Sequence, residues 1–377
     1  MLSNVFKAMV LGILFFFQAH AQSIFTTPIT PLASVVGESS GLTKVNGVFI
    51  THNDSGNDAI LYELDTITGQ PARQVWVSNA TNRDWEALTR DDNYLYIGDI
   101  GNNLGNRTDL RIYKIALSDY LQAANDSVLA DTINFFYPEQ TIFPGQPFQT
   151  AFDAEALIAM GDSLYIFTKN WSGSFSMVYA LPKTPGYHVA RLLDTVPITG
   201  LVTDATLNPD GPSIFLTSNT PQQPHLTCVF LSHVQAWTPI WPLASWPLTV
   251  TGSIQVEAIH YAGNDRFFIT SETGLFGLGY LSEFAISANL NIREPENVNS
   301  LIFPNPTPNT FMVQLTFNSQ NTQFELFNLS GAPIPIQVVG LPENRWEITP
   351  EKQPALGIYL LKIVSSKGTF TQKIQIK

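Results

Sequence analysis

Between residues 36 and 285 the chain writes three short blocks five times over. The first reads SSGL (39–42), WEAL (85–88), AEAL (154–157), DATL (204–207) and VEAI (256–259). Next come VFITHND, LYIGDIG, LYIFTKN, IFLTSNT and FFITSET, and then AILYEL, LRIYKI, SMVYAL, LTCVFL and FGLGYL. The aromatic column of the third block is Tyr62, Tyr113, Tyr179, Phe230 and Tyr280, at intervals of 51, 66, 51 and 50 residues. The long interval holds an insertion of about 15 residues in an otherwise even period. Short β-rich runs at this spacing, with Gly, Asn and Asp turns between them, predict an all-β propeller with one blade per unit. Five blades is the count, and a sixth would have to lie in the insertion. RQVWVS, TINFFYP, RLLDTVPI and SWPLTV supply an outer strand for the first four units, leaving FTTPITPLAS to complete the fifth and close the ring without a bare sheet edge. Helical signal is confined to LSDYLQAAND at 117–126.

The two ends read differently from this middle. Residues 1–21 carry Lys7, an apolar run from Ala8 to Phe17 and then Ala19-His20-Ala21, the layout of a secretory signal peptide too short to span a bilayer. No other stretch is apolar enough for a transmembrane segment. Polar residues 290–300 read as a linker between a propeller at 22–289 and a small β-sandwich at 301–377. In that last segment FPNPTPN, ELFNLSG, PALGIYLLKI and a Lys-rich closing strand follow in order. Together they resemble the type A C-terminal sorting domain of the type IX secretion system of Bacteroidetes. The resemblance implies export across the outer membrane to the cell surface or medium, with the secretion machinery as partner and the domain as an address that is commonly removed.

Taking Lys7 and the tail's six Lys/Arg and four Asp/Glu from the 19 bases and 31 acids leaves 12 against 27, a net of −15 for the middle. Such a surface repels nucleic acid and anionic lipid and attracts divalent cations. Cys228 is the sole cysteine, so no intramolecular disulfide forms and the apolar run LTCVFL reads as core.

The repeated glutamate carries the functional question. Strand residues two apart share a face, and the first strand of each blade lines the central channel. Asp84 then goes with Glu86, Asp153 with Glu155 and Gln255 with Glu257, while the other units offer Glu38 with Ser40 and Thr203 with Ala205. Two carboxylates about 8 Å apart repel by roughly 2 kcal/mol at an effective dielectric near 20, so three converging need protons, a base or a cation. Calcium takes carboxylate, carbonyl and water oxygens and suits an exported protein. The loops HNDSGND (52–58) and GDIGNN (98–103) add Asn53, Asp54, Asp99 and Asn102 near one mouth. The candidate metal or ligand set is Glu86, Glu155, Glu257, Asp84, Asp153, Asp99 and Asn53. A structural reading stands beside it, in which each glutamate accepts amides of the neighbouring blade and the Asp-Gly-Asn clusters are turns. The sequence leaves both open.

Other chemistry is weaker. Residues 37–41 spell G-x-S-x-G, but a second strand follows where a nucleophile elbow needs a helix, which argues against Ser39. Among His52, His188, His225, His233 and His260 no metal-ligand spacing occurs; His52 and His260 fall near the channel, and His52 or Asp54 is the candidate base. Trp237, Trp241 and Trp246 in WTPIWPLASW read as packing between blades rather than a sugar platform. The D-x-E-A-L signature on this architecture makes residues 36–285 resemble secreted phytase-like and lactonase-like bacterial propellers. That resemblance implies calcium held by channel acids and, in some members, hydrolysis of phosphate or lactone esters. The cationic cluster of a phosphatase is not evident, since Arg83, Arg111 and Lys169 are scattered. The expectation is an exported, calcium-stabilised binding or scaffold module with its ligand at the channel mouth; the alternative is a calcium-dependent hydrolase at the same mouth.

Overall fold

A computed structural model describes residues 23–377 apart from 210, 234, 275–276, 287–299, 316–321, 329–332, 343 and 366–367. The expected signal peptide and nearly all of the expected linker lie outside these residues.

Five antiparallel sheets take up the five units, and each begins with its innermost strand. These innermost strands are Ser39–Val45 in blade one, Trp85–Arg90 in blade two, Asp153–Met160 in blade three, Leu201–Asn208 in blade four and Val256–Tyr261 in blade five. Each touches the next in turn, and the fifth touches the first, so the strands form a closed ring. The insertion holds no sixth blade. It supplies blade two with its outer strand Asp131–Phe136, and Ser127–Val128 adds in parallel to the outer edge of blade one. The expected helical turn appears as Leu117–Leu121 and Ala124–Asp126.

Burial explains the ring. A blade has two apolar faces, and each gap between neighbours is filled by its own cluster of buried side chains. Between blades one and two lie Leu61, Val75, Trp85, Ile97 and Tyr113; between five and one lie Leu42, Phe49, Ala258 and Phe268. Cys228 is 1% exposed in the cluster between blades four and five, and Trp237 and Trp246 pack against such clusters. Trp237 also donates its indole N–H to Asp194 at 3.2 Å, which confirms packing for these two rings. As expected, the N-terminal segment closes the circle. Thr27–Pro31 pairs antiparallel with Tyr280–Ala285 as the outer strand of blade five, while Ile24–Phe25 adds to the edge of blade four.

Every innermost strand carries one extra residue against its partner strand. The ladder skips Gly41, Glu86, Glu155, Thr203 and Glu257. Such a bulge turns a side chain out of the regular alternation, and in three blades that side chain is the repeated glutamate. The ladder also corrects two alignments: blade one meets the glutamate column with Gly41 instead of Ser40, and blade four with Thr203 instead of Ala205. Gly41 sits at φ +80°, and a Cβ there would collide with the backbone of Leu88 in blade two.

The tail forms two four-stranded sheets. One orders Ser300–Phe303, Phe311–Leu315, Arg345–Pro350 and Ile336–Leu341; the other orders Pro333–Ile334, Gln323–Asn328, Gly357–Ser365 and Gly368–Ile376. Alternate residues of both, among them Val313, Leu326, Ile348, Leu361 and Ile374, share one core, the sandwich the sequence predicts. No helix among the described residues is long and apolar enough to cross a membrane.

Candidate functional site

The bulged glutamates lie near the starts of the innermost strands, at the mouth that also receives the loops after the second strands. One oxygen each from Asp54, Asp84 and Glu86 lies within 4.8 Å of the other two. Gly101 makes the convergence possible, because a Cβ at that position would stand 2.6 Å from Glu86 Oε1 and clash with Asp84 Oδ2 as well. Asp54 Oδ1 accepts the Ser55 amide. The carboxylates of Asp84 and Glu86 accept no hydrogen bond among the described residues, although Glu86 is only 4% exposed.

Proton affinities record the crowding. Burial, then Glu155, Asp54 and Asp84, push Glu86 well above the usual carboxylate range. Burial followed by Asp54 and Asp153 lifts Asp84 to about 7. Glu155 rises to about 8 through burial, despite Lys169, and Glu272 to about 7 through burial, Asp54 and Glu38. Burial likewise raises Glu257, with Glu272 and Glu155 adding to it.

Lys169 answers most of these acids, and Arg107 acts on Asp84. Lys169 Nζ pairs with Glu155 Oε1 at 2.8 Å, and although burial pulls its pKa down, Glu155, Glu257, Asp153 and Glu86 hold it well above the ordinary value. The sequence reading left Lys169 as a scattered cation. Its signal lies in the second block, where the ladder puts it directly opposite Asp153 and in one column with Asn53, Asn219 and Glu272. Asn219, also missed, donates to Glu257 Oε1 at 3.1 Å across the gap between blades four and five.

Other candidates serve the scaffold. Asp153 accepts the Asn102 amide at 2.5 Å, the Ala154 amide at 3.1 Å and the Trp171 indole N–H at 2.7 Å, and is fully buried. Asp99 pairs with buried Arg107 at 2.8 Å and accepts the Asp84 amide at 3.1 Å, so it positions Asp84. Asn53 donates to Val35 O at 2.9 Å, and its buried Oδ1 has no partner among the described residues. His52, the other candidate base, is fully buried and edge-on to Trp85, and desolvation lowers it to about 4, which makes it a weak base shielded from solvent. Ser39 Oγ is buried and bonded to Thr51 Oγ1 at 2.6 Å and Thr270 Oγ1 at 2.9 Å. Arg83, Arg107 and Arg111 all pair with Asp109, and Arg107 and Arg111 also with Asp99, so these cations are held by acids of their own blade.

Residues 301–377 match the family model for the secretion system C-terminal sorting domain. The tail is a type IX sorting domain. It marks the chain for export, secreted or held at the outer cell surface, with the secretion machinery as partner. No curated relative matches the chain. Similar solved structures include the exo-beta-1,3-galactanase of Phanerochaete chrysosporium, at 9% identity over 95% of this chain and 94% of that one, with a TM-score of 0.42. The GH43_1 enzyme of Xanthomonas citri follows at 10% over 70% and 90%, TM-score 0.40, and the Dos1 propeller at 10% over 83% and 77%, TM-score 0.34. Likenesses this distant carry no argument about activity, and the closed ring of strands stands without them.

Proposed function

We propose that the exported cargo, residues 22–289 between a signal peptide at 1–21 and a linker at 290–300, is a binding module whose acidic mouth takes calcium. The supporting observation is the trio Asp54, Asp84 and Glu86 within 4.8 Å, two of whose carboxylates the protein leaves without donors. Charged carboxylates that close repel by about 3–4 kcal/mol per pair at an effective dielectric near 20. Lys169 does not discharge them alone, because one ammonium is shared among Glu155, Glu257, Asp153 and Glu86. Protons or a cation are what remain. The donor set fits calcium, which takes hard carboxylate oxygens of the kind that Asp54, Asp84 and Glu86 bring together. A bound cation would supply positive charge with open coordination positions to which an oxygen-rich ligand could attach.

Calorimetric titration of calcium into the full chain tests this. One site is expected, with Glu86→Gln weakening it about tenfold or more without lowering the melting temperature of the calcium-free protein. Absent binding, or binding indifferent to Glu86→Gln, ends the proposal.

The proton affinities favour a second reading, the calcium-dependent hydrolase. Glu155 near 8 and Asp84 near 7 lie where a general acid and a general base work at neutral pH. Calcium-dependent turnover of simple phosphate esters or lactones, lost in Asp84→Asn and Glu155→Gln, would support it. Turnover that survives both substitutions would sink it.

A further inference from the structure

At the opposite end of the ring the five innermost strands open into a cavity of about 960 Å³. Each blade contributes, with Lys44, Arg90, Met160, Leu207 and His260 near the far ends of their strands. The charge balance here is inverted. Of the 12 Lys and Arg between residues 22 and 300, four line this well (Lys44, Arg90, Lys114, Lys183), against three of the 27 acids (Asp91, Asp92, Asp162). Asp91 is already committed, accepting from Lys183 Nζ at 2.8 Å and from the Tyr96 hydroxyl at 2.9 Å. Asp92 and Asp162 sit exposed on rim hairpins.

Lys44, Arg90 and Lys114 make no ion pair among the described residues. Lys44 Nζ rests 4.6 Å from the Phe49 ring centre and 5.5 Å from that of Phe268, and Phe49 meets His260 edge-on at 6.0 Å. A ring face attracts an ammonium by only about 0.5–2 kcal/mol, so it does not replace a counter-ion. Burial, then Lys44 and Arg90, lower His260 to about 4, which leaves the imidazole neutral at pH 7 between two cations. Across the well, from blades three and four, Leu207 is partly exposed and Met160 and Ala205 lie just beneath the surface as part of the core between those blades.

We propose that this well binds a small amphipathic carboxylate, its charged end among Lys44, Arg90 and His260 and its apolar body against Met160 and Leu207. A basic arc facing an apolar arc suits that chemistry, and a neutral alcohol of the same length would leave the cations unanswered.

The test uses the full chain in chelator, so that its outcome is independent of calcium at the other mouth. Octanoate is titrated calorimetrically, with octanol as the neutral control and the fluorescence of anilinonaphthalene sulfonate as a displacement reporter. We expect one saturable octanoate site per chain, with octanol at least tenfold weaker. Lys44→Gln and Arg90→Gln should each weaken octanoate about tenfold, as loss of one charge-assisted contact does. Both variants should stay folded with a cooperative transition, since neither residue holds an ion pair and Lys44→Gln loses only its contacts with the Phe49 and Phe268 rings. Bound octanoate should also raise the His260 pKa, read by NMR. No saturable octanoate binding, equal binding of octanol, or binding unchanged in both variants would overturn the proposal.

Discussion

Between pH 6.5 and 8 the calcium-free protein should lose stability as pH rises, the reverse of a protein held by ordinary salt bridges. Glu155 keeps its proton to about 8, and Asp84 and Glu272 keep theirs to about 7, against 4.5, 3.8 and 4.5 for the free side chains. In this window the folded chain therefore binds more protons than the unfolded one, and raising the pH favours unfolding. The buried histidines act in the opposite sense. His52 and His260 titrate near 4 folded and 6.5 unfolded, so they add stability as pH rises between those values and nothing above 6.5. From 6.5 upward the carboxylates decide the slope.

A group at 8 loses about 1.6 kcal/mol over that interval and a group at 7 about 0.8, which sums to roughly 3 kcal/mol for the three. The sum is a minimum, since Glu86, Glu257 and Asp204, whose carboxyls burial pushes well above the usual range, lose stability in the same direction. For a domain of this size about 3 kcal/mol corresponds to roughly 6–12 °C in melting temperature. Thermal unfolding by circular dichroism, in chelator at half-unit steps of pH, reads it directly. Calcium should flatten the decline by replacing protons at Asp54, Asp84 and Glu86, and Glu155→Gln should remove about 1.6 kcal/mol of it. A melting temperature that is level or climbs from pH 6.5 to 8 in chelator would refute the reasoning.

Asp153→Asn should cost about 2–4 kcal/mol whether or not calcium is present, because it disturbs an acceptor of two amides and an indole; rescue by calcium would return Asp153 to the ligand set. Lys169→Met should destabilise more at pH 8 than at pH 6, where Glu155 can take a proton in place of its partner, and equal losses at both pH values would contradict the pairing. Gly101→Ala should abolish calcium-dependent stabilisation in melting experiments by driving a methyl between Asp84 and Glu86, so an unchanged calcium response would displace the cation from that trio. Deleting residues 23–31 should strip the outer strand from blade five and expose Tyr280–Ala285, giving a broadened, less cooperative transition and concentration-dependent association by light scattering. A sharp transition in a monomer would count against closure by that segment.

What the sequence displayed and what it hid divide along a physical line. Blade number, outer strands and the closing N-terminal strand were legible because each follows from apolar alternation at a fixed period, which is a local property. The register of SSGL and DATL was not. A bulge adds one residue without changing the apolar pattern, so Gly41 at φ +80° and Thr203 stood unnoticed in the glutamate column. Asp204, the one acid of DATL, lies one residue past the bulge and accepts the Ile259 amide of blade five at 2.8 Å. The same limit separates Asp54 from Asp99. Asp99 ends the second strand of its blade and Asp54 follows the end of its own, each in a Gly- and Asn-rich loop near the same mouth. Asp99 is answered by Arg107, which comes from a loop with no counterpart in the other units, whereas Asp54 faces Asp84 and Glu86. A carboxylate's role is thus set by whichever distant donor the closed ring brings to it. Lys169 is the clearest instance: in the sequence a scattered base, in the ring a cation on which Glu155, Glu257, Asp153 and Glu86 all act.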